Sequence, residues 1–225
     1  MSALFSPLVE LAIETAAEWH DGTYRKGRWT DPCTPAADEA TVRVPTMAHV
    51  TAVALTVQRA GWSDEAVAAA FLHDALEDRN RHRQRLDRAA LAARVGEAVT
   101  QIVEAVSEPQ LDAGGRPIRW RERKEAYLHR LAAGPPEAAA VSLADKLHNA
   151  YAMASSLEAG IDIFCDGPGR RALSAGPDEQ LWFFDAVLDA SRTHTDARLD
   201  PMRQRLSVEV GRLRRALDLD GDTTR

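Results

Sequence analysis

Apolar residues recur at helical spacing along most of the chain, and no stretch sustains the period-two alternation of a half-buried strand. That pattern argues against sheet-based folds and predicts an all-α protein. Leu8, Leu11, Ile13 and Ala16 to Ala17 mark an amphipathic first helix running to about His20, with Asp21-Gly22 as its break. Pro32, Pro35 and Pro45 make residues 28–44 a long loop, after which Met47 to Arg59 resumes the helical pattern. Ser63 is a plausible N-cap for a helix reaching His73. Helices are also expected on either side of Gly96, over Arg119 to Ala132, from Glu137 to about Leu157, from about Asp178, and over 199–218. Residues 159–178 read as a loop. With 225 residues and 45% hydrophobic content, the chain can bury one sizeable core.

The net charge of −6 argues against a general nucleic-acid binder, although arginines cluster at 79–88, 116–123 and 203–215. Such patches suit a small polyanion or are solvated helix faces, and the 116–124 cluster is the better placed to touch a ligand. Cys33 and Cys165 form no Cys-x-x-Cys pair and no disulfide framework, which fits a reducing cytoplasm. No apolar run approaches the roughly 20 residues that span a bilayer, and the first residues lack a basic stretch of the exported type. We therefore expect a cytoplasmic protein without a membrane partner; an oligomer stays open.

Chemistry concentrates in Ala70-Phe-Leu-His-Asp-Ala-Leu-Glu-Asp-Arg79. Helical spacing predicts His73 over Glu77 and Asp74 over Asp78, four groups able to bind a metal or move a proton. The preceding apolar run makes an unpaired charge at His73-Asp74 expensive, so either a core salt bridge or a metal ion must compensate it. Asp145 follows Val141 to Ala144 in the same way, and His49 lies on the helix before the cluster. Converging from separate helices, His49, His73, Asp74 and Asp145 form a mixed nitrogen and oxygen set that favours manganese, iron or zinc over calcium. Asn149, four residues after Asp145, shares its helix face. Trp182, Phe183 and Phe184 are expected in the core. His148 is expected to face away from Asp145, without a clear partner.

These residues resemble the metal-binding pattern of HD-domain phosphohydrolases. His73-Asp74-x-x-Glu77-Asp78, together with Leu143-Ala-Asp-Lys-Leu-His-Asn149, narrows the resemblance to the hydrolase domain of RelA/SpoT proteins and the small alarmone hydrolases. His20-x4-Arg25-Lys26-Gly27, Pro45-x3-His49 and Leu181-Trp-Phe-Phe184 extend it over about residues 5–195. The resemblance implies an HD-type helical bundle over residues 1–195, with 196–225 as a C-terminal helix and tail. It implies a manganese ion held by His49, His73, Asp74 and Asp145, and removal of the 3′ pyrophosphate from guanosine tetra- or pentaphosphate. Glu77 and Asp78 would then orient the attacking water or shuttle its proton. Arg25, Lys26, Asn149 and His20 would contact the nucleotide. Thr46 and Tyr151-Ala152 depart from the family pattern, which commonly has a Tyr and an Arg-Thr or Arg-Asp pair there. Hydrolysis of another nucleotide or phosphorylated metabolite, and nucleotide binding without catalysis, are the rival expectations.

Overall fold

A computed structural model describes residues 4–29, 43–112, 114–166 and 172–222. Ser6 opens α1 (Pro7–Trp19) by accepting the Val9 N–H, and Pro7 fits the first helical turn, where no intrahelical N–H partner is needed. After α2 (Thr46–Arg59), Ser63 caps α3 (Asp64–Leu72) through the Ala66 N–H, as the sequence predicts. Every residue of α3 from Ala66 to Leu72 is buried, so this helix is surrounded rather than amphipathic. It packs against α1, α2, α5 (Glu97–Val106) and α7 (Pro136–Glu158). The small residues Ala68 to Ala70 and Ala138 to Ala140, all fully buried, take little room between the helices.

The remaining helices are α4 (Arg88–Val95), α6 (Trp120–Ala133), α8 (Pro177–Ser191) and α9 (Leu199–Asp222), giving nine among the described residues. The expected all-α class holds, and the helices fall where the periodicity places them. Helix α9 lies along α7, burying Leu206, Val210 and Leu213, while Arg212 reaches Glu158 and Ser155. Among the described residues no helix is long and apolar enough to cross a membrane.

Two differences from the sequence reading matter. First, β1 (Tyr24–Trp29) and β2 (Arg43–Pro45) pair antiparallel with an irregular register, Tyr24 opposite Pro45 and Trp29 opposite Arg43. The two strands flank residues 30–42, so the middle of the expected 28–44 loop, with Cys33, lies outside the described residues. Second, α3 ends at Leu72, and residues 73–78 form successive turns instead of continuing the helix. His73 Nδ1 bonds the Ala70 carbonyl at 2.7 Å, the acceptor that the Asp74 N–H would use in a continuing helix. The Glu77 N–H bonds the Asp74 carbonyl at 3.1 Å instead of that of His73, so the helical turn expected from His73 to Glu77 is corrected, whereas the Asp78 N–H keeps the i→i+4 bond to the Asp74 carbonyl at 2.8 Å.

Gly96 joins α4 to α5 at φ 86° and ψ 166°, a conformation essentially confined to glycine. A Cβ there would meet nothing within 4 Å, so the cost of adding one is in the backbone. Gly96→Ala is expected to destabilise the fold by about 1–3 kcal/mol. In urea unfolding this appears as a lower midpoint with an unchanged slope.

Candidate metal centre and adjoining cavity

His49 from α2, His73 and Asp74 from the end of α3, and Asp145 from α7 converge on one point. Donor atoms of His49, His73 and Asp74 lie within 4.8 Å of one another and form a potential metal site. Asp145 Oδ1 is 3.1 Å from His49 Nε2 and 3.7 Å from His73 Nε2. Asp74 completes the group, with Oδ1 at 3.3 Å from His73 Nε2 and Oδ2 at 3.8 Å from His49 Nε2.

The hydrogen bonds around these rings test whether they suit a cation. A carbonyl only accepts, so His73 Nδ1 carries the hydrogen in its bond to Ala70, and the neutral ring presents its Nε2 lone pair to the carboxylates. That buried Nε2 has no hydrogen-bond partner. A lone pair facing two carboxylates is repulsive unless a proton or a cation lies between them, and the residues fit a divalent ion. Burial opposes protonation of His73, but Asp74 and Asp145 outweigh it and raise its pKa to about 9. Burial dominates at His49 and lowers its pKa, although Asp145 pulls the other way. At Asp145 burial is overcome by Lys146 and the two imidazoles, which hold the carboxyl well below the usual range.

Asp145 is also a structural hub. It pairs with the buried Lys146 and accepts the Asn149 amide at 2.6 Å. The Asn149 oxygen in turn accepts Arg25 Nη2 at 2.7 Å, so β1 is tied to α7 through the expected ligand and substrate residues. His148 overturns its expectation: its Nδ1 lies 2.8 Å from His49 Nδ1. Spacing relative to Asp145 gives its direction on α7 but not which residue of α2 it meets.

The histidine and aspartate cluster lines a pocket of about 170 Å³, and beside it lies a cavity of about 360 Å³. Arg25, Asp74, Lys124, Lys146 and Asn149 line both and mark the seam between them. Glu77 faces the smaller pocket, where its Oε1 accepts the Glu108 N–H at 2.8 Å. Burial, then the carboxylates of Asp74 and Glu108, push Glu77 up to about 8. Asp78 is exposed and lines the larger cavity. The lining of that cavity also includes Trp120, Met153, Ile163, Phe183 and Phe184, with Ser156, Ser174 and Gln180 among its polar groups.

Lys124, Lys146 and Glu108 are site residues that the sequence reading did not single out, although Lys124 belongs to the basic cluster it favoured for ligand contact. Phe183 and Phe184 are buried as expected. Phe183 also lies 4.3 Å from Lys124 Nζ and 5.3 Å from Lys146 Nζ, so its ring stabilises both ammonium groups. His20 is buried with neither ring nitrogen hydrogen-bonded, and it lines neither cavity. Burial lowers its pKa, while Asp74 partly opposes that shift. Lys26 lies on β1, and its side chain is outside the described residues.

The family model of the HD domain matches residues 29–162, and the chain belongs to that family. No curated protein sequence matches it. Among solved structures, it resembles a metazoan ortholog of SpoT that hydrolyses ppGpp and plays a role in starvation responses. That likeness has a TM-score of 0.63 and 22% identity, covering 95% of this chain and 98% of the other. The crystal structure of lmo0812 from Listeria monocytogenes EGD-e gives a TM-score of 0.60 and 24% identity, covering 75% of this chain and 97% of that one. Both likenesses show the fold.

Proposed function

We propose that this chain is a metal-dependent phosphohydrolase that removes the 3′ pyrophosphate from guanosine tetra- or pentaphosphate, leaving GDP or GTP. The observation that carries this reading is the convergence of four ligand donors on a pocket that shares lysine and arginine side chains with an aromatic-walled cavity. The metazoan SpoT ortholog, which hydrolyses ppGpp, supports the choice of substrate. His49, His73, Asp74 and Asp145 would hold manganese. When bound, such an ion supplies Lewis acidity, which activates water and offsets phosphoryl charge.

The chain's own residues do the rest. Arg25 and Lys124, with Asn149 and Lys26, meet the phosphates and the nucleoside, while the aromatic wall shields the base from water. The Glu108 N–H fixes the Glu77 Oε1, and in the metal-free pocket burial, Asp74 and Glu108 favour the protonated acid. Asp78, at the cavity, orients the attacking water or takes its proton. His20, buried within electrostatic reach of Asp74, His73 and His49, lines neither cavity and is given no substrate contact in this reading. In this reading residues 1–195 form the catalytic unit, 196–225 supply a C-terminal helix and tail packed on or extending from it, and the enzyme works in the cytoplasm within the stringent response.

A second reading, hydrolysis of another nucleotide or phosphorylated metabolite, is favoured by one observation. Thr46 and Ala152 line the larger cavity at positions where the family pattern has other side chains, and the Ala152 methyl offers no hydrogen bond. Manganese-loaded protein should release pyrophosphate from guanosine tetraphosphate at least about tenfold faster than from GTP or ATP. Cleavage of another nucleotide with guanosine tetraphosphate untouched would overturn the substrate and keep the reaction class.

A further inference from the structure

Glu108, two residues beyond α5, is buried in the smaller pocket with its side chain only 5% exposed. Its carboxylate accepts Lys124 Nζ at 2.5 Å and lies 3.5 Å from Arg123 Nη1. The pocket already holds Asp74, Glu77 and Asp145, so another carboxylate adds to the repulsion there. A buried ion pair also gives little net stability once desolvation is counted. Stability alone therefore explains this placement poorly.

Lys124 supplies a better account. Its ammonium sits on a flexible four-carbon stem, yet it lines both pocket and cavity. Burial and the neighbouring Lys146 disfavour its charge, and Glu108 and Glu77 oppose them. Glu108 contacts the ammonium directly, and the Phe183 ring also borders it. These contacts restrict a side chain that would otherwise sample many rotamers.

We propose that Glu108 is a positioning residue that holds the Lys124 ammonium at the seam between pocket and cavity for the phosphate groups of the substrate. The inference rests on reading the cavity as a phosphate-ester site. Glu108 touches no substrate in this arrangement; it acts through Lys124.

A double-mutant cycle on manganese-loaded full-length protein tests it, with inorganic pyrophosphate as the probe in calorimetric titrations. Glu108→Gln and Lys124→Met should each weaken pyrophosphate binding about tenfold, and the double variant should bind no more weakly than Lys124→Met alone. In turnover, Glu108→Gln should raise KM to about the same extent as Lys124→Met. Glu108→Asp, which keeps the charge one methylene shorter, should recover part of the affinity, and it carries the same cycle if the glutamine variant does not fold. Penalties that multiply, wild-type affinity in Glu108→Gln, or an aspartate variant no better than the glutamine one overturn the proposal. Pyrophosphate has no nucleoside, so the cycle remains readable even where guanosine tetraphosphate is not cleaved.

Discussion

Asp74→Asn is expected to lose divalent-metal binding and turnover together while keeping its fold. The Asp74 side chain is 28% exposed and faces the two imidazoles, whereas its backbone carbonyl, which anchors the following turns, is untouched by the change. The amide keeps an oxygen but loses the charge that a cation needs. Metal affinity should fall about 10²-fold or more, and kcat/KM by roughly 10³-fold. Asp145→Asn should do the same and also destabilise the protein by about 3–5 kcal/mol, because it leaves the buried Lys146 unpaired. Metal content, pyrophosphate release and urea midpoints separate the two variants; full manganese occupancy in Asp74→Asn would remove that residue from the ligand set.

The same centre has a pH signature. His73 binds a cation only as the neutral ring, and its pKa in the metal-free protein is about 9. Manganese affinity should therefore rise about tenfold per pH unit towards pH 9 and then level. The folded-state pKa is raised, so the stability His73 contributes without metal is fully present below its ordinary value of 6.5 and is lost as pH rises through about 9.

The parts legible in the sequence are those set by local pattern. Helical spacing located the helices, Ser63 marked the start of α3, and the buried run before His73-Asp74 signalled that those groups need compensation. The parts not legible depend on partners distant in the chain. Strands β1 and β2 are short and pair across an intervening segment, so neither carries a readable alternation. The stop at Leu72 has no glycine or proline to announce it; it coincides with a side-chain bond from His73 to the Ala70 carbonyl. Glu108 and Lys124 look like ordinary surface charges until α5 and α6 bring them together beside Glu77. Likewise His148 meets His49 only because α2 packs on α7.

Asp78→Asn and Glu77→Gln are expected to stop turnover while leaving metal content intact, and the geometry makes them fail differently. Neither residue belongs to the converging donor group, so a bound ion should survive both changes. Asp78 lines the larger cavity and is exposed, so its loss removes a carboxylate beside the water or the substrate. Glu77 lies in the smaller pocket, where a glutamine oxygen can still accept the Glu108 N–H. Its fold contribution is therefore preserved while its proton is lost. Each change should lower kcat by about 10²–10⁴-fold, the range for removing a positioned acid or base. With a pKa of about 8, Glu77 in the metal-free pocket is protonated at pH 7 and loses that proton as pH rises. If Glu77 also keeps and donates a proton in the manganese-loaded enzyme, wild-type kcat falls on the alkaline side, and the limb disappears from the residual activity of Glu77→Gln but persists in Asp78→Asn. Identical profiles in the two variants would show that the acids do not divide the proton work in this way, and unchanged turnover in either would remove that residue from the reaction.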